Sequence, residues 1–451
     1  MENITGIVLA GGEGKRMSQL NTATPKEMLP ILGKPALSLI LENIKEAGIK
    51  TIILVISKRK EAIIKNYFKE AWNGLKIEYA FQEAQNGPAD AISKALPLVN
   101  TKYFLVQYGD SLASINIAKE LVEILNKNQD SSGILAIRKV DDPSRYGIIK
   151  FENNEIVDII EKPKKEDAPS EFATMGTFIL NTNKYKKAIK NAKYEYGKEY
   201  FPAKYLLNKK NKLQTYIFKG KRVDMGKPED LFNASLLFSK SQIKCFAFDG
   251  DNTLYKTKEI AKEADMAAMQ ILSKKTKLQA EELYAVWTSL IEKEKIKESN
   301  NPKTRHRKHS YYLLCQNYKE DLTEEMYKAF EKCLIKNIHP TTDIETILKS
   351  IKGEKYLITE ENRDMAIKKL NHLSLYKYFS GIVSSDDTKV MKPSARYYEN
   401  ITKKFKPEEI LVIGDNFEKD LRIPAEHGML ILPILSEDDL QKLITFSKSN
   451  N

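Results

Sequence analysis

Short apolar runs that end in glycine or aspartate, each followed by an amphipathic helical stretch, occur in two separate series along this 451-residue chain. In the first series Ile4 to Ala10 is apolar and β-prone and ends at Gly11-Gly12. Pro35 then opens a helical segment in which Leu37, Ile40, Leu41 and Ile44 recur at helical spacing, closed by Gly48. Thr51 to Ile56 and Tyr103 to Val106 follow as strands, the second running into Gly109-Asp110. In the second series Cys245 to Phe248 ends at Asp249, Tyr356 to Ile358 at Thr359, and Ile410 to Ile413 at Gly414-Asp415. Strands that are apolar along their whole length belong to sheets covered on both faces, so the pattern predicts an α/β fold.

Two Rossmann-like three-layer domains follow from this repetition, one over residues 1–238 and one over 243–451. The seam falls near Ser239 to Lys244, after a helix over Pro228 to Leu237. From about 256 to 340 the chain reads as charged, Met- and Leu-rich helix, an insertion in the second domain. Ligands of open α/β sheets bind just beyond the carboxyl ends of the strands. The Gly and Asp punctuation sits there in both halves.

Hydrophobic residues at 42% and charged residues at 30% describe a folded globular chain rather than a disordered one. No apolar stretch approaches the roughly 18 residues of a membrane span. Met1-Glu2-Asn3 lacks the basic-then-apolar pattern of a secretory signal. Cys245, Cys315 and Cys333 are odd in number and widely spaced, so no disulfide framework is expected and a reducing cytoplasm fits. Lys+Arg 73 against Asp+Glu 61 leaves +12, a balance that suits anionic ligands. The lysines are dispersed, with no basic tail and no RNP-type aromatic signature, so anionic small molecules are expected rather than nucleic acid.

Leu9-Ala10-Gly11-Gly12-Glu13-Gly14-Lys15-Arg16-Met17 is a glycine-rich turn leaving a strand. Glycines there let backbone N–H groups surround phosphate oxygens. It is not a Walker loop, because Leu9 takes the first glycine position and Arg16 stands where Ser/Thr should meet magnesium. It is not a dinucleotide fingerprint, because Met17 takes the third glycine position. Ten positions after Arg16 comes Lys26, within Pro25-Lys26-Glu27-Met28-Leu29-Pro30-Ile31.

This succession resembles the sugar-1-phosphate nucleotidyltransferases, whose signature is GGxGxR followed by PKxMLPIxGKP. Later stations match in order over about residues 1–235. Gln82 and Gly87-Pro88-Ala89 look like the base-recognition stretch, and Gly109-Asp110 like the metal aspartate. Tyr146-Gly147 and Glu161-Lys162-Pro163 look like the sugar-phosphate segments, and Asp224 to Asp230 like the DxGxPED element. The resemblance implies that Gly11, Gly12, Gly14, Gln82, Gly87, Gly147, Glu161 and Lys162 bind an NTP and a sugar 1-phosphate. It further implies that Arg16 and Lys26 neutralise the triphosphate, and that Asp110 and Asp224 hold Mg²⁺. Lys15, Gln19 and Pro88 depart from the usual Thr, Pro and Thr, which bears on nucleotide choice. Related domains that serve as non-catalytic regulatory subunits lose the metal acids or the loop Arg and Lys, all of which this chain keeps.

In the second half Asp249 and Asp251 lie two positions apart at a strand end, in Asp249-Gly250-Asp251-Asn252-Thr253. One such carboxylate can attack phosphorus while the other moves a proton. An EF-hand is excluded by the missing acid ladder and the absent Glu at its twelfth position. Residues 243–440 resemble the haloacid dehalogenase-like phosphohydrolases in motif order: Thr359, then Lys392-Pro393, then Gly414-Asp415 with Asp420. The resemblance implies Asp249 as nucleophile, Asp251 as general acid/base, and Thr359 and Lys392 as phosphoryl-binding groups. Mg²⁺ is implied on Asp249, Asp415 and the Asp251 backbone carbonyl. Lys392-Pro393 is expected to open a helix with Tyr398, Ile401 and Phe405 on one face. Glu360 departs from the usual Asn or Gly, and Pro424 interrupts the usual end of the last motif.

The helical insertion at about 256–340 stands where that family places a cap over its substrate. Its basic run, Lys303 with Arg305 to His309, reads as a solvated loop or a landing patch for an anion. His306 and His309 lack neighbouring ligands for a metal, and no role falls to His339, His372 or His427. The resulting expectation is a bifunctional enzyme. One domain makes an NDP-sugar and pyrophosphate from an NTP and a sugar 1-phosphate, and the other hydrolyses a phosphate monoester. The competing expectation is a phosphatase or 5′-nucleotidase carrying a non-catalytic nucleotide-binding domain.

Overall fold

The computed structural model describes residues 4–84, 86–128, 130–190, 201–207, 211, 213–297, 301 and 306–449. The chain divides into two compact units with the main boundary between Leu237 and Phe238. The short segments Gln19–Thr22 and Ile31–Gly33 group with the second unit.

In the first unit the strand Ile4–Leu9 runs parallel to Tyr103–Tyr108 on one side and to Thr51–Ile56 on the other. Leu75–Phe81 continues the parallel order, and the short Ala71–Trp72 closes that edge antiparallel. The runs read as fully apolar in the sequence are these central strands, and Ile7, Val8, Ile53, Leu54 and Val106 are buried completely. The helix Ala36–Glu46 begins after Pro35 and buries Leu37, Ile40, Leu41 and Ile44; Gly48 beyond its end takes a left-handed φ of +86°.

The other half of this sheet is antiparallel except for Leu213–Ile217, which runs parallel to Gly133–Lys139. Phe172–Asn181 runs against Tyr103–Tyr108, pairs with Gly133–Lys139, and touches the hairpin of Gly147–Glu152 and Glu155–Glu161. The apolar-run pattern did not reveal the hairpin strand Glu155–Glu161, because it keeps one face toward water. Glu155–Glu161 holds a single buried residue, Ile159.

The second unit carries a five-stranded parallel sheet in the order Gly381–Ser384, Glu354–Thr359, Cys245–Asp249, Ile410–Gly414, Leu430–Pro433. The three motif-bearing strands are therefore neighbours, and Asp249 ends the central one. A two-stranded ribbon of Tyr255–Lys256 and His339–Pro340 leads into and out of a helical insertion. Its helices are Lys258–Thr276, Ala280–Lys297, Arg307–Asn317 and Thr323–Asn337. They enclose their own core of Met269, Leu283, Trp287, Tyr311, Leu314 and Phe330.

The helix expected after Lys392-Pro393 is instead a 3₁₀ turn, Ala395–Tyr398, followed by a single α-turn, Glu399–Thr402. Tyr398 and Ile401 are buried as expected, but Phe405 is only half-buried. Pro407 lies just beyond, and the residue before a proline is driven out of the α region. Cys245, Cys315 and Cys333 are all free thiols. Among the described residues no helix is long and apolar enough to cross a membrane.

Trp287 anchors the insertion: it is 3% exposed and its indole N–H donates to Ser310 Oγ at 3.1 Å. Trp287→Ala is expected to cost about 3–5 kcal/mol through the cavity it leaves. Urea unfolding followed by circular dichroism measures this, and a loss well under 1 kcal/mol would contradict the packing described.

Candidate active sites

In the first unit the glycine turn is shaped by what lies against it. A β-carbon on Gly11 would stand 2.9 Å from Gln82 Oε1, so a larger residue there displaces the amide. Gln82 Nε2 in turn donates to the Gly87 carbonyl at 3.1 Å, which brings Gly11, Gln82 and Gly87 together. Gly12 faces open space, and Gly14, at φ +67°, packs on the aliphatic stem of Lys26.

Four residues that the sequence spreads over two hundred positions converge beside this turn. The Lys26 ammonium is bonded to Asp110. Ser111 pairs opposite Asp224 across two short antiparallel strands, and the Met225 amide donates to the Asp110 carbonyl at 2.8 Å. A β-carbon on Gly226 would meet Arg16 Nη2 at 3.0 Å, so the Arg16 guanidinium lies on the backbone just beyond Asp224. Gly147, Glu161 and Lys162 line a separate pocket of 270 Å³ with Tyr146 and Thr174. Glu161 Oε2 would stand 2.9 Å from a β-carbon on Gly147.

Sequence reasoning missed the groups that hold these residues in place. Arg222 grips Asp224 Oδ1 through Nε at 2.9 Å and Nη2 at 2.6 Å. Lys60, 2% exposed, places its ammonium 2.8 Å from both Glu27 oxygens and 2.9 Å from the Ala10 carbonyl. It thereby ties the segment carrying Lys26 to the strand that precedes the glycine turn. Burial raises the pKa of Glu27 and lowers that of Lys60, each against the pull of the other's charge. On Lys26, burial opposes the charge, yet Asp110 and Glu27 carry its pKa above the ordinary lysine value.

In the second unit the Asp249 carboxylate lines a 360 Å³ pocket with Asp251, Thr359, Asp415 and Lys419. Lys392, with no exposed side-chain surface, sets its ammonium 2.7 Å from Asp249 Oδ1 and 2.8 Å from Asp420 Oδ1. It also donates to the Ile358 carbonyl at 3.2 Å. Oxygens of Asp249, Asp415 and Asp420 fall within 4.8 Å of one another. Burial pushes the Asp249 carboxyl upward, opposed by Lys392 and assisted by Asp420.

The Asp251 side chain does not join that carboxylate group. Its Oδ1 lies 2.9 Å from the ammonium of Lys369, which also meets Glu361 Oε2 at 2.7 Å. Burial disfavours the Asp251 charge, but Lys369 outweighs it and holds the pKa below the ordinary range. Thr359 is 2% exposed, and its hydroxyl accepts from the Glu361 amide at 3.2 Å.

Lys369, Glu361 and Lys419 carried no motif signal, though the helical insertion that roofs the pocket was foreseen. It contributes His306, Arg307, Tyr327, Phe330 and Leu334 to the lining. Within the basic run, Lys303 and Arg305 lie outside the described residues. Arg307 is not a free cation: its Nε is 2.9 Å from Asp265 Oδ1 and its guanidinium lies over Trp287, 5.0 Å from the centroid.

Residues 5–241 match the family model described as nucleotidyl transferase, and residues 243–428 match that described as haloacid dehalogenase-like hydrolase. A D-glycero-alpha-D-manno-heptose 1-phosphate guanylyltransferase of Campylobacter jejuni is 30% identical over 227 residues, 50% of this chain and 96% of that one. A bifunctional protein GlmU of Methanococcus maripaludis is 34% identical over 234 residues, 51% of this chain and 54% of that one. A solved UDP-glucose pyrophosphorylase complexed with UDP-glucose aligns at a TM-score of 0.47 and 29% identity, covering 53% of this chain and 99% of that one.

Two outcomes test the buried charges. Lys60→Met strands Glu27 and should cost about 3–5 kcal/mol, whereas Lys60→Met with Glu27→Leu should cost clearly less. Chemical denaturation of both variants decides it, and equal losses would mean that the pair is not a unit.

Glu361 supplies the second test. Burial, opposed by Lys369 and helped by Asp251, raises its carboxyl from 4.5 to about 7. The folded state then binds the proton more tightly than the unfolded state. Its contribution is present below pH 4.5, is lost as pH rises toward 7, and is flat above. Glu361→Gln should flatten this part of the stability profile, whose slope is at most about 1.4 kcal/mol per pH unit. Unfolding midpoints at pH 5 and pH 7.5 for both proteins measure it; parallel profiles count against the assignment.

Proposed function

The chain belongs to the nucleotidyl transferase family and carries a haloacid dehalogenase-like hydrolase domain behind it, and we propose that it performs two phosphoryl-centre reactions at two separate sites. In the first unit a sugar 1-phosphate oxygen attacks the α-phosphorus of an NTP. The bond from the α-phosphorus to the bridging oxygen breaks, and pyrophosphate leaves with that electron pair. The observation that carries this reading is the convergence of Arg16 and Lys26, in two 3₁₀ turns, with Asp110 and Asp224, at two strand ends distant in sequence. Such transfer needs little covalent help, and positioning with charge neutralisation supplies the rate. Arg16 and Lys26 face the triphosphate, the glycine turn offers N–H groups, and Lys162 takes the acceptor phosphate.

In the second unit Asp249 attacks the phosphorus of a monoester, the ester P–O bond breaks, and the alcohol departs with a proton from Asp251. Asp251, now ionised, takes a proton from water as the water oxygen attacks the aspartyl-phosphate phosphorus. The P–O bond to Asp249 breaks, inorganic phosphate leaves, and Asp249 returns as a carboxylate and Asp251 in the protonated form in which it began. Lys369 favours the ionised form of Asp251, the form needed for the water step. Thr359 and Lys392 hold the phosphoryl oxygens.

The donor sets at both sites suit a hard divalent cation such as Mg²⁺. Lys392 engages one oxygen each of Asp249 and Asp420, which leaves the second oxygens for a cation shared with Asp415. Asp110 and Asp224 are the matching residues of the first unit. A bound cation would supply charge neutralisation for phosphate oxygens at each centre.

Asp249→Asn should abolish phosphate release from monoesters and leave pyrophosphate release from NTP and sugar 1-phosphate intact. Asp110→Asn should do the reverse, lowering pyrophosphate release by about 100-fold or more. Both are read on one preparation with an NTP by sugar 1-phosphate matrix and a phosphate-ester panel. Loss of both activities in either variant would refute separate sites.

A further inference from the structure

The cleft next to the acceptor pocket of the first unit is more cationic than nucleotidyl transfer requires. Its 720 Å³ are lined by Arg16, Arg138, Arg145, Lys221, Arg222 and Lys227, against only Asp224, Glu229 and Asp230. All three carboxylates are already engaged, Glu229 with Lys227 at 3.9 Å. Asp224 is held by Arg222, and Asp230 Oδ2 accepts from the Gly226 and Lys227 amides at 2.9 and 2.7 Å. Arg16 is assigned to the triphosphate and Arg222 to Asp224. The transfer reaction gives Arg138, Arg145 and Lys221 nothing to do.

Among the described residues, two buried donors in this cleft have no acceptor. Arg138 places its guanidinium over the Tyr146 ring, 5.0 Å from the centroid, and its Nε is buried without a hydrogen-bond partner. Arg222 has a side chain only 8% exposed, and its Nη1 is likewise buried without a partner. An unsatisfied buried donor costs about 1–3 kcal/mol, more when charged, so two in one cleft indicate acceptors that arrive with a ligand. The cleft is also joined to the acceptor pocket, because Arg145, Tyr146 and Arg222 line both cavities. A ligand seated by Gly147, Glu161 and Lys162 thus has guanidinium groups along one wall. The planar guanidinium fork matches phosphate and carboxylate oxygens in pairs.

We propose that the acceptor of the transferase carries a second anionic group, a phosphate or a carboxylate, besides its 1-phosphate, and that Arg138 and Arg145 bind that group. The proposal rests on the transferase reading above and narrows its substrate class.

The test is pyrophosphate release with three acceptors: glucose 1-phosphate, glucuronate 1-phosphate and glucose 1,6-bisphosphate. At least one of the two doubly anionic acceptors should exceed glucose 1-phosphate in kcat/KM by about tenfold or more. Arg138→Gln and Arg145→Gln should each erase most of that preference, with Arg138→Lys retaining part of it. Circular dichroism establishes that the variants are folded. Equal kcat/KM for all three acceptors overturns the proposal. So does a uniform rise in KM for the NTP in the variants, which would assign the arginines to the triphosphate. Activation of glucose 1-phosphate turnover by free inorganic phosphate, lost in Arg138→Gln, also overturns it in favour of a separate effector.

Absence of pyrophosphate release with every acceptor would instead defeat the transferase reading. The cleft is then judged by calorimetry on the same protein. Glucose 1,6-bisphosphate binding about tenfold more tightly than glucose 1-phosphate supports the anion site, and equal affinities sink it.

Discussion

Lys392 has no water to solvate its ammonium, and a lysine stripped of water must sit among anions or lose its charge. Asp249, Asp420 and the Ile358 carbonyl supply that environment. The dependence runs both ways. Three carboxylates with oxygens inside 4.8 Å repel one another, and a cation between two of them lets the group persist at the end of a buried strand. The parallel pairing of Cys245–Asp249 with Glu354–Thr359 and Ile410–Gly414 delivers the acids, and Lys392 makes their proximity tolerable. Sheet register and charge balance are thus one constraint in the second unit.

The same device recurs with different residues. Lys369 bridges Asp251 and Glu361, Lys60 closes on Glu27, and Lys26 is bonded to Asp110. In each case a long, flexible side chain becomes an interior counterion and so fixes a carboxylate or a loop. Preorganised charge of this kind acts at phosphoryl centres without reorganising during the reaction. The first unit adds arginine where a fixed direction matters: Arg222 grips one oxygen of Asp224 through two nitrogens, a geometry an ammonium does not reproduce.

How much of this the sequence disclosed depends on the range of each signal. Asp249, Thr359 and Asp415 were legible because strand ends announce themselves as an apolar run followed by a polar stop, whereas Lys392, well beyond the end of Gly381–Ser384, was legible only through the order of the motifs. Gly11, Gly14, Arg16 and Lys26 were legible because they crowd into two short segments. Lys60, Glu27, Lys369, Glu361 and Arg222 were not. Each is one charge among 73 basic and 61 acidic residues, and its importance comes from burial beside a partner. Lys369 meets Asp251 across 118 positions, and no local periodicity records that distance. One antiparallel strand, Glu155–Glu161, stayed hidden for a related reason: with one wet face it lacks the continuous apolar run that marked the central ones.

Glu360 shows how a departure from a family pattern can carry its own remedy. A carboxylate next to Thr359, where Asn or Gly is usual, sets a negative charge beside a site built for a phosphoryl group. Its Oε2 lies 2.8 Å from the Lys419 ammonium, and its Oε1 accepts from the Lys392 amide at 3.1 Å. Lys419 sits between Asp415 and Asp420 in the chain, so the neutralising charge comes from the same loop that supplies those acids. The pairing draws Glu360 toward the Lys392 backbone and lets Lys419 line the pocket beside Asp249. An acid that would otherwise repel the substrate becomes the tether that positions a cation at the pocket, and the local charge stays balanced although the motif has changed.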